Sequence, residues 1–265
     1  MKINKTLIIL SLLLIFCISL GAVSATEDIS VNDTNDDVAT VESSAMNEEI
    51  STVSEEGQIN KSSEIWNDIN SATGTYNITT DYQIDTTWEI PNANVIIEGN
   101  NHTIYGNGNQ AFKITGNNVT IQNLNFVNCS SGGSGGAICF WNSGSVSGCC
   151  FVNCSSYHGG AIYFRSSGFV SGCSFVNCSS RDNGGAIFFD SSGSVSGCSF
   201  VNCSTGEYGF GAIFFDSSGS VGNCSFVNCS SYDGGAIYFA EGSGSSRGFV
   251  SGCSFVNCSS RNEGG

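Results

Sequence analysis

Basic residues are scarce in this chain: 8 Lys and Arg stand against 23 Asp and Glu in 265 residues, a formal net charge of −15. Phosphate affinity comes from a cationic surface, so this balance excludes nucleic acid as an expected partner. Histidine is nearly missing, with only His102 and His158, which leaves the cysteines without their usual companions in a zinc site. Proline occurs once. Helical spacing is missing too. Between residues 75 and 265 no stretch carries apolar residues three and four apart for long enough to make the helix pairs of a helical repeat.

Glycine (34) and cysteine (14) are plentiful instead, and they fall in a repeat. Phe-Val-Asn-Cys begins at Phe126, Phe151, Phe175, Phe200, Phe226 and Phe255, at intervals of 25, 24, 25, 26 and 29 residues. Between successive copies lies Gly-Ala-Ile-x-Phe, starting at Gly136, Gly160, Gly185, Gly211 and Gly235. A fixed period of this size marks a stack of units that bury their apolar faces only against their neighbours. Each unit holds short apolar runs separated by Ser and Gly turn signals, so one coil of an all-β parallel β-helix fits, at about 25 residues per coil.

Equivalent residues of such coils stack about 4.8 Å apart and form ladders. Ile138, Ile162, Ile187, Ile213 and Ile237 make one, and Phe140, Phe164, Phe189, Phe215 and Phe239 make a second on the same strand face. Both are expected inside. The residue between them is also apolar in most coils, so a face built on Ala161 and Tyr163 is a rival choice. Phe151, Phe175, Phe200, Phe226 and Phe255 form a third ladder.

Residues 1–25 read as a secretory signal, with Lys2 and Lys5 before the apolar run Leu7–Leu20 and Val23-Ser-Ala25 as a cleavage site. A membrane anchor is the rival reading of that run. Residues 26–62 read as a disordered acidic spacer, too poor in apolar surface to offset chain entropy. The solenoid is expected over 63–265. It opens with a short capping helix near Glu64–Ala72, where Ile65, Ile69 and Ala72 share a face. Irregular coils follow to residue 125, and Asn94-Val-Ile-Ile97 and Asn118-Val-Thr-Ile121 already match at a spacing of 24. Regular repeats occupy 126–265 and stop at Gly264-Gly265, in mid-unit, which reads as a fragment.

Phe-x-x-Asn-type and Gly-Gly-Ala-Ile-type blocks paired at this period resemble the repeats of chlamydial polymorphic outer-membrane proteins, with Phe-Val-Asn one residue shorter in spacing. With the signal run, the acidic spacer and the Asn-Val-Thr-Ile turns, the chain looks more like the adhesin-like surface proteins of methanogenic archaea. The resemblance covers roughly residues 64–265. It implies a right-handed, single-stranded, pectate-lyase-like β-helix at the cell surface, with an adhesive role and no catalytic residues or cofactor. The barrel domain of the outer-membrane families does not occur in this sequence. Membrane attachment is therefore expected only through the signal run or through an anchor outside it.

Three kinds of residue invite chemistry. Five coils carry Cys-x4-Cys: Cys149/Cys154, Cys173/Cys178, Cys198/Cys203, Cys224/Cys229 and Cys253/Cys258. They read as small apolar residues filling a ladder, as disulfides in an oxidising compartment, or as a metal or iron–sulfur array. Asn128, Asn153, Asn177, Asn202, Asn228 and Asn257 read as amides hydrogen-bonded along the stack or as glycosylation sites, a modification better suited to Asn77 or Asn118. Asp190 and Asp216 share a column with Arg165, Trp141 and Ala240. They read as a solvated ladder with one Arg–Asp pair, or as the carboxylates of a polysaccharide lyase or glycosidase. Gly106-Asn-Gly-Asn-Gln-Ala111 matches the dinucleotide fingerprint only formally, because no helix is expected after it. The chain is thus expected to be secreted and to act at the cell surface as an adhesin-like repeat protein binding glycans or proteins of neighbouring or host cells. A passive envelope spacer and a carbohydrate-active enzyme are the alternatives. The insertion at 241–247 is a candidate binding loop.

Overall fold

The computed structural model describes residues 60–240 and 247–264. The signal run, the acidic spacer up to residue 59 and residues 241–246 of the candidate loop lie outside them. The described residues form a parallel β-solenoid. Its strands belong to four sheets of nine, eight, seven and five strands, every pairing parallel. One coil shows the order: Ile162–Phe164, Gly168–Ser171, Ser174–Val176 and Ser179–Ser180 each enter a different sheet. We name these the Ile-x-Phe, Gly-x-Val, Phe-Val and Ser-Ser sheets. The Ser-Ser sheet has its first strand at Ser155–Ser156, with a single parallel bridge from Ser155 back to Ser130 in the coil before.

Corners make the coil possible. The residue before each ladder cysteine takes the left-handed conformation: Gly148, Gly172 and Gly197 at φ 59–60°, and Asn153, Asn177 and Asn202 at φ 53–54°. Asn and Gly are the residues that enter this region at least cost. Each such corner turns the chain inward and delivers a Cys side chain to the core. A third corner needs glycine for a different reason: a Cβ on Gly168 would overlap the ring of Phe164.

The core is a set of side-chain columns. Ile138 pairs in register with Ile162, Ile187 and Ile213, Phe140 with Phe164, Phe189 and Phe215, and all eight are fully buried. Ile237 and Phe239 continue the columns and are partly buried. Phe126, Phe151, Phe175, Phe200 and Phe226 are fully buried in a second aromatic column, and Phe255, next in it, is 49% exposed. Its rings lie 4.7–5.1 Å apart with interplanar angles of 2–7°. The rung spacing exceeds the contact distance of two ring faces, so parallel rings slide into the offset stack that their quadrupoles favour. Each buried Phe contributes about 1.5–3 kcal/mol through burial.

The first coil is closed by α1, Trp66–Asn70, shorter than the 64–72 stretch that shows helical spacing. Ile69 and Ala72 are buried beneath it while Trp66 stays exposed. Ser62 ties the cap down. Its buried hydroxyl donates to Asp85 Oδ1 (2.6 Å) and accepts from the Asp85 and Thr86 amides, while its carbonyl accepts from the indole of buried Trp88.

Candidate functional site

The carboxylate column lies on the outer face of the Ile-x-Phe sheet. Asp190 follows Phe189 and Asp216 follows Phe215, and both are exposed. The expected Arg–Asp pair does not form. Arg165 places its guanidinium over the exposed ring of Trp141, 4.7 Å from the centroid, and takes no part in the ion pairs among the described residues, His102–Asp81, Lys113–Glu89 and His158–Asp182. A planar, weakly hydrated cation gains from an aromatic face one rung below it. Asp190 accepts a hydrogen bond from the Tyr163 hydroxyl at 3.2 Å instead. Burial and the Asp190 charge together raise the Tyr163 phenol above its ordinary range.

Beside this column runs an outer aromatic row that the residue alternation only hinted at. Tyr163, Phe188, Phe214 and Tyr238 stack with centroids 4.7–5.7 Å apart. The Ile and Phe ladders face inward, and the apolar residues between them are covered by each other.

The thirteen cysteines of the described residues form no disulfide, and eleven of them stand in two inner ladders, with Cys139 and Cys150 besides. One ladder holds Cys149, Cys173, Cys198, Cys224 and Cys253. The Cys173 amide donates to Cys198 Sγ at 3.3 Å, and the same bond recurs at 3.4 Å from Cys149 to Cys173, from Cys198 to Cys224 and from Cys224 to Cys253. The other ladder runs from Cys129 through Cys154, Cys178, Cys203 and Cys229 to Cys258. Burial pushes the thiols of Cys154, Cys173, Cys178, Cys198 and Cys203 well above their ordinary range. Cys139 is raised by burial to about 11, against the pull of Lys113 and Arg165. Such thiols stay protonated at neutral pH and are poor nucleophiles. Among the described residues no group of three His, Cys, Asp or Glu is placed to hold a metal ion.

The asparagine ladder is a structural element. Asn153, Asn177, Asn202 and Asn228 each donate from Nδ2 to the Oδ1 of the asparagine one coil earlier, at 3.1–3.3 Å, and Asn257 keeps the same left-handed corner at φ 51°. Gly106–Ala111 forms a turn into the strand Phe112–Ile114, so the dinucleotide fingerprint has no helix to hold a phosphate.

A groove of about 340 Å³ runs along the Ser-Ser sheet, with Ser155, Ser179, Tyr157 and Arg181 in its lining. Ser156 and Ser180 are buried, and their hydroxyls close the adjoining turns by donating to the His158 and Asp182 carbonyls at 2.7 Å. Ser155 and Ser179 make no side-chain hydrogen bond among the described residues and present their hydroxyls to the groove. Tyr157 is 45% exposed, with its ring edge-on to His158 at 4.6 Å, and His158 in turn packs on Phe188 at 5.3 Å. Two-residue strands of serine carry almost no periodic signal, which is why this edge was not legible beforehand. Comparison with protein-family models, with curated proteins and with solved structures finds no match for this chain.

Proposed function

We propose that this chain is a secreted, cell-surface adhesin-like β-helix that attaches to glycans or proteins of neighbouring or host cells without catalysis. One observation carries the reading: strand register runs unbroken from Thr75 to Ser260, so the outer side chains form straight rows at the rung spacing. Rows of hydroxyls and aromatic rings on a rigid rod suit repeated weak contacts with an extended partner. Asp190 and Asp216 stand on an exposed outer face among uniform repeats, and Asp190 is engaged by Tyr163, an arrangement that favours a structural role for the column.

Attachment of the purified protein to whole neighbouring cells and to a glycan array tests this, with release of reducing or unsaturated sugar ends assayed in the same wells. Saturable binding without released product is expected. Product that disappears in the Asp190→Asn/Asp216→Asn variant would replace the adhesin with an enzyme. Absence of both signals would leave a passive spacer.

A further inference from the structure

Inner and outer positions of the solenoid follow different periods. The inner Ile and Phe recur in every coil, as packing demands, whereas three outward positions recur every third coil. Tyr157, Tyr163 and Phe169 in one coil return as Tyr232, Tyr238 and Phe249. At the groove edge the column reads Gly132, Tyr157, Arg181, Gly206, Tyr232, Arg261, a Gly–Tyr–Arg triplet taken twice. Register supports the alignment: Ser155–Ser156 pairs with Ser179–Ser180, and Ser230–Ser231 with Ser259–Ser260. The Arg181 amide donates to the Ser156 carbonyl at 3.0 Å, and the Arg261 amide to the corresponding Ser231 carbonyl at 3.2 Å and to that of Tyr232 at 3.0 Å.

The tyrosine and arginine carry the chemistry of each triplet, and the glycines differ: nothing lies within 4 Å of a Cβ built on Gly132, whereas one on Gly206 would meet the Arg181 carbonyl. Tyr157 offers an exposed ring, and half-buried Tyr232 has the 69% exposed Tyr208 beside it, 5.7 Å between centroids. Arginine offers a planar fork one rung further on. The chain has 8 basic residues, and two of them occupy this one column. A sugar ring stacks on an aromatic face through its axial C–H bonds, a carboxylate takes a bidentate pair from arginine, and the free hydroxyls of Ser155 and Ser179 accept or donate to sugar hydroxyls. His158 Nδ1 lies 3.7 Å from the carboxylate of Asp182, the acid next to Arg181, and has no hydrogen-bond partner among the described residues.

We infer that this edge holds two subsites at corresponding positions, Tyr157/Arg181 and Tyr232/Arg261, for a linear polysaccharide that carries carboxylate groups. The inference rests on the adhesive reading above. The subsites lie three rungs apart, about 14 Å, and an extended pyranose chain advances by close to one rung per sugar. A ligand several sugars long therefore bridges both, and a short one fills only one at a time.

Oligogalacturonides of three and of eight sugars, and their methyl esters, serve as probes of the full chain by titration calorimetry. The octamer is expected to bind the wild type at least about tenfold more tightly than the trimer, through effective concentration, and the esters of both lengths to bind more weakly. The variant Tyr157→Ala/Arg181→Gln should lose the length advantage while keeping trimer binding at half the stoichiometry. Adding Tyr232→Ala/Arg261→Gln should abolish both. No oligogalacturonide binding by the wild type, or octamer binding unchanged in the fourfold variant, overturns the inference. Equal affinity for acid and ester overturns the role given to arginine. Cell attachment measured in parallel separates the two levels: attachment that survives in the fourfold variant leaves the adhesin standing without this site, and a wild type that does not attach sinks the adhesive reading itself.

Discussion

Single residues in this solenoid are constrained by their columns. Phe189 is fully buried between Phe164 and Phe215, with centroids 5.0 and 4.8 Å away. Phe189→Ala removes a ring that both neighbours stack on, and should cost about 3–5 kcal/mol. Urea unfolding measures it, and a loss below about 1 kcal/mol would mean that the column closes over the gap. Asn177 is held at φ 53°. Alanine there should cost on the order of 1–2 kcal/mol, and glycine less, since it relieves the backbone and forfeits only the amide ladder. Equal stability of the two variants would contradict that division.

The thiols give a pH signature. Burial raises Cys139 from 9.0 to about 11 and pushes the ladder thiols of Cys154, Cys173, Cys178, Cys198 and Cys203 well above 9.0. The folded state thus holds protons that the unfolded chain releases. The stability tied to these thiols is complete below pH 9 and is lost as pH rises from there toward 11 and beyond. The urea midpoint should fall across that window, and a flat profile would show that the thiols are not desolvated in solution.

The elements were legible to different degrees, for physical reasons. Ile-x-Phe and Phe-Val strands stand out because an inward position admits one shape and therefore repeats. Outward partners do not repeat in that way, and a shared column does not decide contacts: Arg165 had both Asp190 and Trp141 within a rung and took the ring. The three-coil period of the outer face was invisible beside the stronger one-coil period of the core. The cap was readable from Ile65, Ile69 and Ala72, but Ser62, the residue that fastens it, looked like one more polar residue of the spacer. Ser62→Ala leaves the amides of Asp85 and Thr86 without their acceptor. Trp88 is buried whereas Trp66 and Trp141 are exposed, so its blue-shifted emission should move to the red in this variant and light scattering should rise. Unchanged emission and scattering would remove Ser62 from the cap. The cap is also acid-sensitive. Hydrogen bonds from Ser62, with others from Ser63, hold the Asp85 carboxyl below 3.8, so its contribution is present above that pH and is lost as pH falls through the depressed folded value.

At the scale of the whole molecule, each coil touches only the coils before and after it, as in other quasi-one-dimensional folds. Removing residues 179–203, one full coil from a Ser-Ser pair to the next ladder cysteine, rejoins Cys178 to Ser204 in register. The shortened protein should fold, with a smaller urea m-value in proportion to the surface lost, and collapse of the circular dichroism signal would show longer-range dependence. The uninterrupted register has a mechanical side as well. Backbone hydrogen bonds between coils point along the rod, so a pull on its two ends loads a whole rung at once. Once a rung parts, its 25 or so residues pay out up to about 90 Å of chain before the next rung is strained. In the adhesive role proposed above, a tethered cell hauled by flow would feel a succession of equal yields instead of one sharp break.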